Sequence, residues 1–447
     1  MRQSSRMLSA AVISYAGLVG SFVASVVASR LLGVEGKGLF SLFVATITGL
    51  SLLATLGVHQ GQLFHVSRRP EWLSHFMTNA VPFSLFGGGA VAALYFLGGW
   101  ALGWTDVRAL GVFGVIAGLV VVPVTVLMIF QRQYFLVLHR YELAKVAGTV
   151  AVTLPLFGYV ALYVVHQTSL DAFLGAFVGS QLVCLAVFQV PVQRLGAHGG
   201  GFSPDLARQS LGFGLRQLAS IFCSYLMGRL DFFIVAQYLG GRGLGIYSVA
   251  VSLAEITVRL SNEIGTMLYP AFSGRTLKPG QPAAALRLVT LMAVLAGAAM
   301  ALISGPLVQL LFGPAFAEAV PALRWLVVGT VAWSTTHVTW TYVSATGRPA
   351  IGVLVYSTAT AVDVLLNMVL LPRLGVIGAS IAAATSYIVA ALLFLHFFRR
   401  TETCSLRQAF IANASDLQLL WKAARAVAGR FGRLVGGSFV EVQGAPD

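Results

Sequence analysis

Charged residues are scarce in this chain. Only 10% of its 447 residues are Asp, Glu, Lys or Arg, whereas 57% are hydrophobic, and the mean hydropathy is +0.84. A water-soluble domain carries about 25% charged residues, so this composition excludes a soluble globule of such length. The sequence predicts an all-α polytopic membrane protein.

Cysteines are also few, and the sequence motifs of soluble enzymes are missing. The three cysteines are Cys184 and Cys223, within apolar runs, and Cys404, near the C-terminal end, so we expect no disulfide. The sequence contains no phosphate-binding Gly-x-x-x-x-Gly-Lys-Ser/Thr motif and no His-Glu-x-x-His metal motif. We therefore predict neither an enzyme nor a bound cofactor or metal.

Long apolar runs dominate what remains. A helix needs about 20 apolar residues to cross roughly 30 Å of hydrocarbon, and twelve runs reach that length. They lie near 9–29, 39–66, 79–103, 109–131, 145–165, 170–191, 211–239, 244–272, 284–311, 321–345, 350–371 and 375–398. Because each half has six crossings, an even number, the halves enter the membrane in the same orientation. They should be related by a pseudo-two-fold axis along the membrane normal.

An internal repeat supports this division. The segment Leu32-Gly33-x-x-Gly36-x-Gly38-Leu39-Phe40-Ser41 reappears 207 positions later as Leu239-Gly240-x-x-Gly243-x-Gly245-Ile246-Tyr247-Ser248. Each copy lies between two membrane-length runs. The chain is therefore predicted to be two related bundles, an organisation that secondary transporters use to build a site between repeats.

The positive charges predict the orientation. With the N-terminus inside, 21 of the 29 Lys and Arg residues fall on the cytoplasmic side and six on the other. This asymmetry follows the positive-inside rule, so both termini should be cytoplasmic in a multi-pass protein of the cell's inner membrane. The net charge of +14 is then explained by topology and by contact with anionic membrane lipids, and no nucleic-acid partner is expected.

Composition also suggests domain boundaries. We predict an N-terminal six-helix lobe over 1–192, a Gly-rich cytoplasmic linker over 193–209 and a C-terminal six-helix lobe over 210–400. Residues 401–447 form a basic tail, whose stretch 406–435 alternates apolar and cationic residues. This pattern favours amphipathic helices lying on the inner membrane surface.

Six ionisable residues interrupt the apolar runs of the second half. An ionisable side chain at bilayer depth costs roughly 2.5 to 3.5 kcal/mol, so each needs a partner, a wet cavity or a function. The matching positions of the first half are uncharged, which favours a site built mainly by the second lobe. The six are Arg229 and Asp231 in the seventh run, Glu255, Arg259 and Glu263 in the eighth, and Asp363 in the eleventh.

Two interpretations of these charges stay open. Glu255, Arg259 and Glu263 are four residues apart and share a helix face, so they form either a self-neutralising ladder or a face turned toward water. Arg229 and Arg259 have similar predicted depths and suit one anionic group, since the planar guanidinium matches phosphate. Alternatively, Arg229 pairs with Glu255 or Glu263.

Weaker polar signals lie elsewhere. Asp363 and Asn367 are one helical turn apart, and they form either a cation or proton site or a helix-to-helix hydrogen bond. Gln131 and Arg132 lie at the predicted cytoplasmic end of the fourth run, where polar residues are ordinary.

Four stretches carry a family resemblance: Ser29–Gly38, Arg229–Asp231 with Leu239–Ala250, Phe312–Leu323, and Asn367–Ala384. Together they resemble the polysaccharide-export flippases of the multidrug/oligosaccharidyl-lipid/polysaccharide exporter (MOP) superfamily. The resemblance implies two six-helix lobes forming a V around a central cavity, and alternating-access transport of a lipid-linked oligosaccharide. A polyprenyl-pyrophosphate head group would suit the arginines, to which the first lobe adds Arg30. A monomer is implied, with a polysaccharide polymerase as a candidate partner.

Two other functions are compatible with the sequence. A proton- or sodium-coupled drug or cation antiporter of the same superfamily would depend on the acids Asp231, Glu255, Glu263 and Asp363. A scaffold or a lipid-modifying enzyme is less favoured, because no catalytic cluster supports it.

Overall fold

The computed structural model describes residues 2–196, 199–273, 280–346, 348 and 350–402, and the regular structure in these ranges is helical. The predicted amphipathic tail lies outside them. Short 3-10 turns cover Pro70–His75 and Pro314–Phe316, and a π-helical turn covers Phe83–Gly87. The α-helices are α1 (Arg2–Ala54), α2 (Val58–Arg68), α3 (Phe76–Pro82), α4 (Gly88–Leu102), α5 (Thr105–Ala109), α6 (Gly111–Val137), α7 (Tyr141–Val164), α8 (Leu170–Arg194), α9 (Pro204–Ser273), α10 (Gln281–Leu311), α11 (Ala319–Ala345), α12 (Ala350–Leu374) and α13 (Val376–Glu402).

The two longest helices, α1 and α9, are each kinked at a glycine of the repeat. Gly33 has φ 66° and ψ −171°, and Gly240 has φ 64° and ψ −169°. This backbone region is essentially restricted to glycine because a Cβ would clash there. The predicted repeat is thus confirmed as a repeated backbone geometry. We call the residues before and after each kink the first and second limbs of the helix.

The predicted twelve crossings agree with the structure. Over the described ranges, nine helical stretches are long and apolar enough to cross a membrane. Two of them, Ala16–Ala54 and Pro204–Arg259, contain the kinks and therefore each supply two crossings. The 27-residue α11 adds the twelfth. The fold is an all-α polytopic membrane protein with two six-helix lobes.

Each lobe has its own apolar core. Phe43, Phe96 and Phe130 are fully buried in the first lobe, and Tyr247 and Phe394 in the second. The second limb of α1 contributes to both cores. Its residue Phe43 packs in the first lobe, whereas Leu42 and Ala45 pack in the second.

The lobes meet at the kinked turns through backbone contact. A Cβ added at Gly38 would lie 1.9 Å from the carbonyl oxygen of Gly241. One added at Gly245 would lie 1.9 Å from the carbonyl oxygen of Val34. The two contacts exchange under the 207-residue shift, as a two-fold relation between the lobes requires. They lie on the side that the charge pattern predicts to be the outer side.

The connector between the lobes is bound to the first lobe. The Asn79 side chain donates to the Ser203 carbonyl at 2.8 Å and accepts from the Ser203 backbone N–H at 2.8 Å. The Thr78 hydroxyl donates to the Gly200 carbonyl at 2.9 Å. The helix α9 then begins at Pro204, within the predicted linker. The first turns of α9 are therefore held against the first lobe.

Candidate functional site

A cavity of about 690 Å³ separates the lobes. Both limbs of α1 and helices α6, α7 and α8 form its walls on one side, and both limbs of α9 with Trp333 of α11 form the other. Most of the lining is apolar or aromatic. The charged residues among its described lining are Lys37, Arg132, Arg229 and Glu255, which together carry a net of two positive charges. Such a cavity suits an anionic ligand with apolar parts.

The second lobe presents an ion pair to the cavity. Arg229 on the first limb of α9 donates to the Glu255 carboxylate on the second limb at 2.5 Å. The two side chains are 29% and 18% exposed, so both remain accessible from the cavity. Arg229 also donates to the Gly228 carbonyl at 2.9 Å, and its guanidinium lies 5.2 Å from the centre of the Phe232 ring. The guanidinium is held in place with part of its donor capacity unused.

The first lobe presents Lys37, one of the six cations that the charge pattern predicts on the outer side. Because the kink at Gly33 lets the helix continue, Lys37 lies in the first turns of the second limb of α1. It is 5% exposed, and its ammonium donates to the Ser25 hydroxyl on the first limb at 3.0 Å. The expectation that deep charge is confined to the second lobe was therefore wrong. The sequence does contain an indication of this: Lys37 stands where the second copy of the repeat has the uncharged Leu244.

Arg132 is a second cation of the cavity, although its position near the predicted end of the fourth run had indicated an ordinary polar residue at the membrane surface. The helix α6 extends to Val137, six residues beyond the predicted end of the fourth run, which places Arg132 inside the helix and on the cavity wall. Its neighbour Gln131 donates to the Gln189 side chain at 2.7 Å and also lines the cavity. The first lobe thus supplies two cations to the cavity.

The structure does not bring Arg259 together with Arg229. Arg259 is exposed on the second limb of α9 and is not among the described residues that line the cavity. The partner of Glu255 is Arg229, the pairing between helices that the sequence left open as an alternative. The side chain of Glu263 lies outside the described part of the chain.

Arg30 is also separate from the cavity. Its Nε donates to the Leu311 carbonyl at 2.7 Å, and a terminal nitrogen donates to the Leu310 carbonyl. These carbonyls end α10 in the second lobe, where the last turn has no intrahelical donors. Arg30 therefore joins the lobes at the predicted outer side.

Asp231 points away from the cavity, into the second lobe. It is 1% exposed and accepts hydrogen bonds from the Tyr247 hydroxyl and from the Phe232 backbone N–H at 2.9 Å. Asp231 and Arg229 are two positions apart on a helix, so they face different directions. Arg229 faces the cavity, and Asp231 faces the core of the second lobe.

Asp363 and Asn367 form a buried polar pair on α12. They are 1% and 0% exposed, and the Asn367 amide donates to the Asp363 carbonyl at 3.0 Å. Within the described ranges, both Asp363 carboxylate oxygens and the Asn367 side-chain oxygen lack a hydrogen-bond partner. Three buried oxygens without donors are the ligand type that a hard cation or a proton requires.

Comparison with known proteins identifies the family. The family model described as polysaccharide biosynthesis protein matches residues 26–321. An uncharacterized membrane protein of Methanocaldococcus jannaschii is 23% identical over 210 residues, which cover 44% of this chain and 41% of that protein. The match therefore spans less than half of the relative's length.

Solved transporter structures share the fold. The lipid II flippase MurJ in an inward closed conformation matches with a TM-score of 0.70 at 11% identity, over 93% of this chain and 92% of its own. An inward-facing multidrug resistance MATE transporter of the MOP superfamily matches with a TM-score of 0.66 at 15% identity, over 86% and 94%. A MATE transporter, VcmN of Vibrio cholerae, matches at 0.64 and 13%, over 91% and 99%.

The matches establish both a shared fold and a family. The fold is shared with the multidrug resistance MATE transporter of the MOP superfamily and with the lipid II flippase MurJ. The chain belongs to the polysaccharide biosynthesis protein family, whose model matches well over half of its length.

Proposed function

We propose that this protein is a flippase that translocates a polyprenyl-pyrophosphate-linked oligosaccharide across the inner membrane by alternating access. The observation that carries the proposal is the cavity's charge: Lys37 and Arg132 from one lobe and Arg229 from the other line the same space. A pyrophosphate placed between the lobes would meet cations from both. Polysaccharide biosynthesis as the family description and a lipid II flippase among the solved relatives support this substrate class.

The charge of the cavity also weighs against the drug antiporter. A cationic substrate needs free carboxylates, yet Glu255 is the one acid among the cavity residues described and Arg229 already neutralises it. Asp231 is buried away from the cavity, under the Tyr247 hydroxyl. An anionic substrate instead meets cations that have donors to spare.

The test is transport in vesicles containing the purified full-length protein and a fluorescent polyprenyl-pyrophosphate saccharide. Lys37→Met and Arg229→Met each remove one charged donor to phosphate, so transport should fall about tenfold or more. Arg259→Gln, outside the cavity, is the matched control and should transport normally. Uptake of a cationic dye that is unaffected by Lys37→Met but lost in Glu255→Gln would instead favour the antiporter.

Energy coupling is a second part of the proposal. Asp363 and Asn367 would bind a sodium ion or a proton, which would neutralise a buried carboxylate that has no hydrogen-bond partner in the part of the chain that the structure describes. An inside-negative membrane potential alone favours outward movement of anions by roughly 2.3 kcal/mol per charge per 100 mV. Vesicles with the potential clamped by valinomycin, and with no sodium or proton gradient, separate the two schemes. Transport that follows the potential and survives Asp363→Asn would exclude a coupling role for this pair.

The orientation that this function requires has both termini in the cytoplasm. Single cysteines placed at Thr105, near the kinked turns, and at Arg208, at the start of α9, provide a direct test. A membrane-impermeant thiol reagent added to intact cells should label the first and spare the second.

A further inference from the structure

A second recess lies on the opposite side of the membrane from the kinked turns, between the end of α2 and the first turns of α9. Its volume is about 490 Å³. The α9 residues that line it follow a spacing of three and four, so one face of the helix is turned toward the recess. We call it the inner groove, and its lining residues are His65, Asp205, Arg208, Gln209, Gly212, Phe213 and Arg216.

The frame of the inner groove is fixed by close helix packing. A Cβ added at Gly61 would lie 2.2 Å from the Ser210 carbonyl oxygen, so α2 and α9 touch through their backbones. Just beside this contact, Phe64 stacks on Phe213 with ring centres 4.4 Å apart and an angle of 12° between the planes. The groove is thus a built feature of two helices, not a gap between loops.

The groove is cationic. Arg208, Arg216 and His65 line it, and Asp205 is its one carboxylate among the described lining residues. Both arginines are exposed, and neither has a salt bridge or side-chain hydrogen bond among the described residues. Arg68 adds a further guanidinium at its edge, 4.0 Å from the centre of the Phe64 ring. Two arginines with all their donors available suit a phosphate group.

The depth of Arg216 matches a lipid head group. It lies 24 residues before Gly240, or about 36 Å along the helix at 1.5 Å per residue. The hydrocarbon core is about 30 Å thick, so with the kink at one boundary, Arg216 lies just beyond the other. Lipid phosphates lie at this level.

We propose that the inner groove binds the phosphate of a membrane lipid head group through Arg208 and Arg216. The phosphate has two chemical sources, a resident anionic phospholipid or the pyrophosphate of the lipid-linked saccharide before it enters the cavity. Binding of a phospholipid is independent of the proposed function, whereas the second source rests on it.

The experiment uses the full-length protein in nanodiscs of phosphatidylcholine with increasing phosphatidylglycerol, and native mass spectrometry to count bound phosphatidylglycerol. The double variant Arg208→Gln/Arg216→Gln should bind it about tenfold more weakly or worse. Arg140→Gln/Arg194→Gln removes two charges from the same predicted side, outside the groove, and should bind normally. Arg208→Lys/Arg216→Lys, which keeps the charge, should recover part of the affinity and controls for folding.

A second arm replaces phosphatidylglycerol with polyprenyl pyrophosphate in phosphatidylcholine nanodiscs. Loss in the phosphatidylglycerol arm alone assigns the groove to a resident lipid, and loss in the pyrophosphate arm alone assigns it to the substrate carrier. Loss in both supports a shared phosphate site. If the groove and control variants bind equally in both arms, the proposal is wrong. Since neither arm measures transport, this result is separate from that of the cavity variants.

Discussion

Arg30 of the first lobe donates to the Leu311 carbonyl of the second, and its repeat counterpart, Gln237, makes the reverse connection by accepting from the Thr105 hydroxyl at 3.2 Å. Thr105 lies just after α4, the helix whose place in the first lobe corresponds to that of α10 in the second. The lobes are therefore joined at the predicted outer side by two equivalent contacts, one charged and one neutral.

The charged contact should hold the outer side closed. Arg30→Ala removes donors to two carbonyls at the negative end of α10, and should raise the rate at which an impermeant thiol reagent labels a cysteine placed at Ser41 in the cavity. We expect a rise of about tenfold, the value of a charged hydrogen bond. Gln237→Ala should change the rate less, because its bond is neutral. Equal rates in both variants and the parent would exclude this role.

The glycines of the inter-lobe contact should not tolerate a methyl group. Gly38→Ala or Gly245→Ala places a carbon 1.9 Å from a carbonyl oxygen of the other lobe, so the lobes must separate there. Each change should lower stability by about 1 to 3 kcal/mol, measured by thermal unfolding in detergent. Gly89→Ala is the control, since a Cβ there meets nothing within 4 Å. A similar effect of all three variants would contradict the contact.

Releasing Arg229 from its partner should strengthen anion binding. Glu255→Gln removes the carboxylate that Arg229 contacts at 2.5 Å, which raises the net charge of the cavity by one. We expect binding of inorganic pyrophosphate to the purified protein to tighten several-fold, measured by calorimetry. Arg229→Gln should weaken it. Pyrophosphate binding that is unchanged from the parent in both variants would indicate that this ion pair is purely structural.

The thermal stability of the protein should show whether Asp363 and Asn367 bind a cation. If Asp363 binds sodium, the unfolding temperature of the parent protein should rise as sodium replaces choline, through binding to the folded state alone. Without sodium, Asp363→Asn should unfold at a higher temperature than the parent, because a neutral amide avoids the cost of burying a carboxylate or of protonating it. The sodium dependence should disappear in this variant. Persistence of that dependence in Asp363→Asn would move the cation site elsewhere.

The sequence predicted the fold well because its signals are local. The length of the apolar runs counts the crossings, and the glycine spacing around Gly33 and Gly240 marks the positions where the backbone bends. Both are properties of short segments, and neither depends on how the helices pack.

The site was harder to predict because it depends on the direction in which each side chain points. The sequence placed Lys37 in a turn at the membrane surface. Because the helix bends at Gly33 without a loop, Lys37 instead lies in the second limb and contacts Ser25 of the first. Glu255 had one candidate partner four residues away, Arg259, and another across the bend, and packing selected Arg229. Periodicity indicates which residues share a helix face, but the kink angle decides which faces oppose each other.

The reciprocal contacts at the kinked turns bear on the origin of the chain. Gly38 touches Gly241 while Gly245 touches Val34, so each half offers the same patch to the other. Self-complementary contact of this kind is the defining property of an isologous dimer interface. A six-helix ancestor that paired with a copy of itself in one orientation would have needed no new surface when two genes fused. The departures from symmetry, Lys37 opposite Leu244 and Arg30 opposite Gln237, then mark positions where the two halves have since specialised.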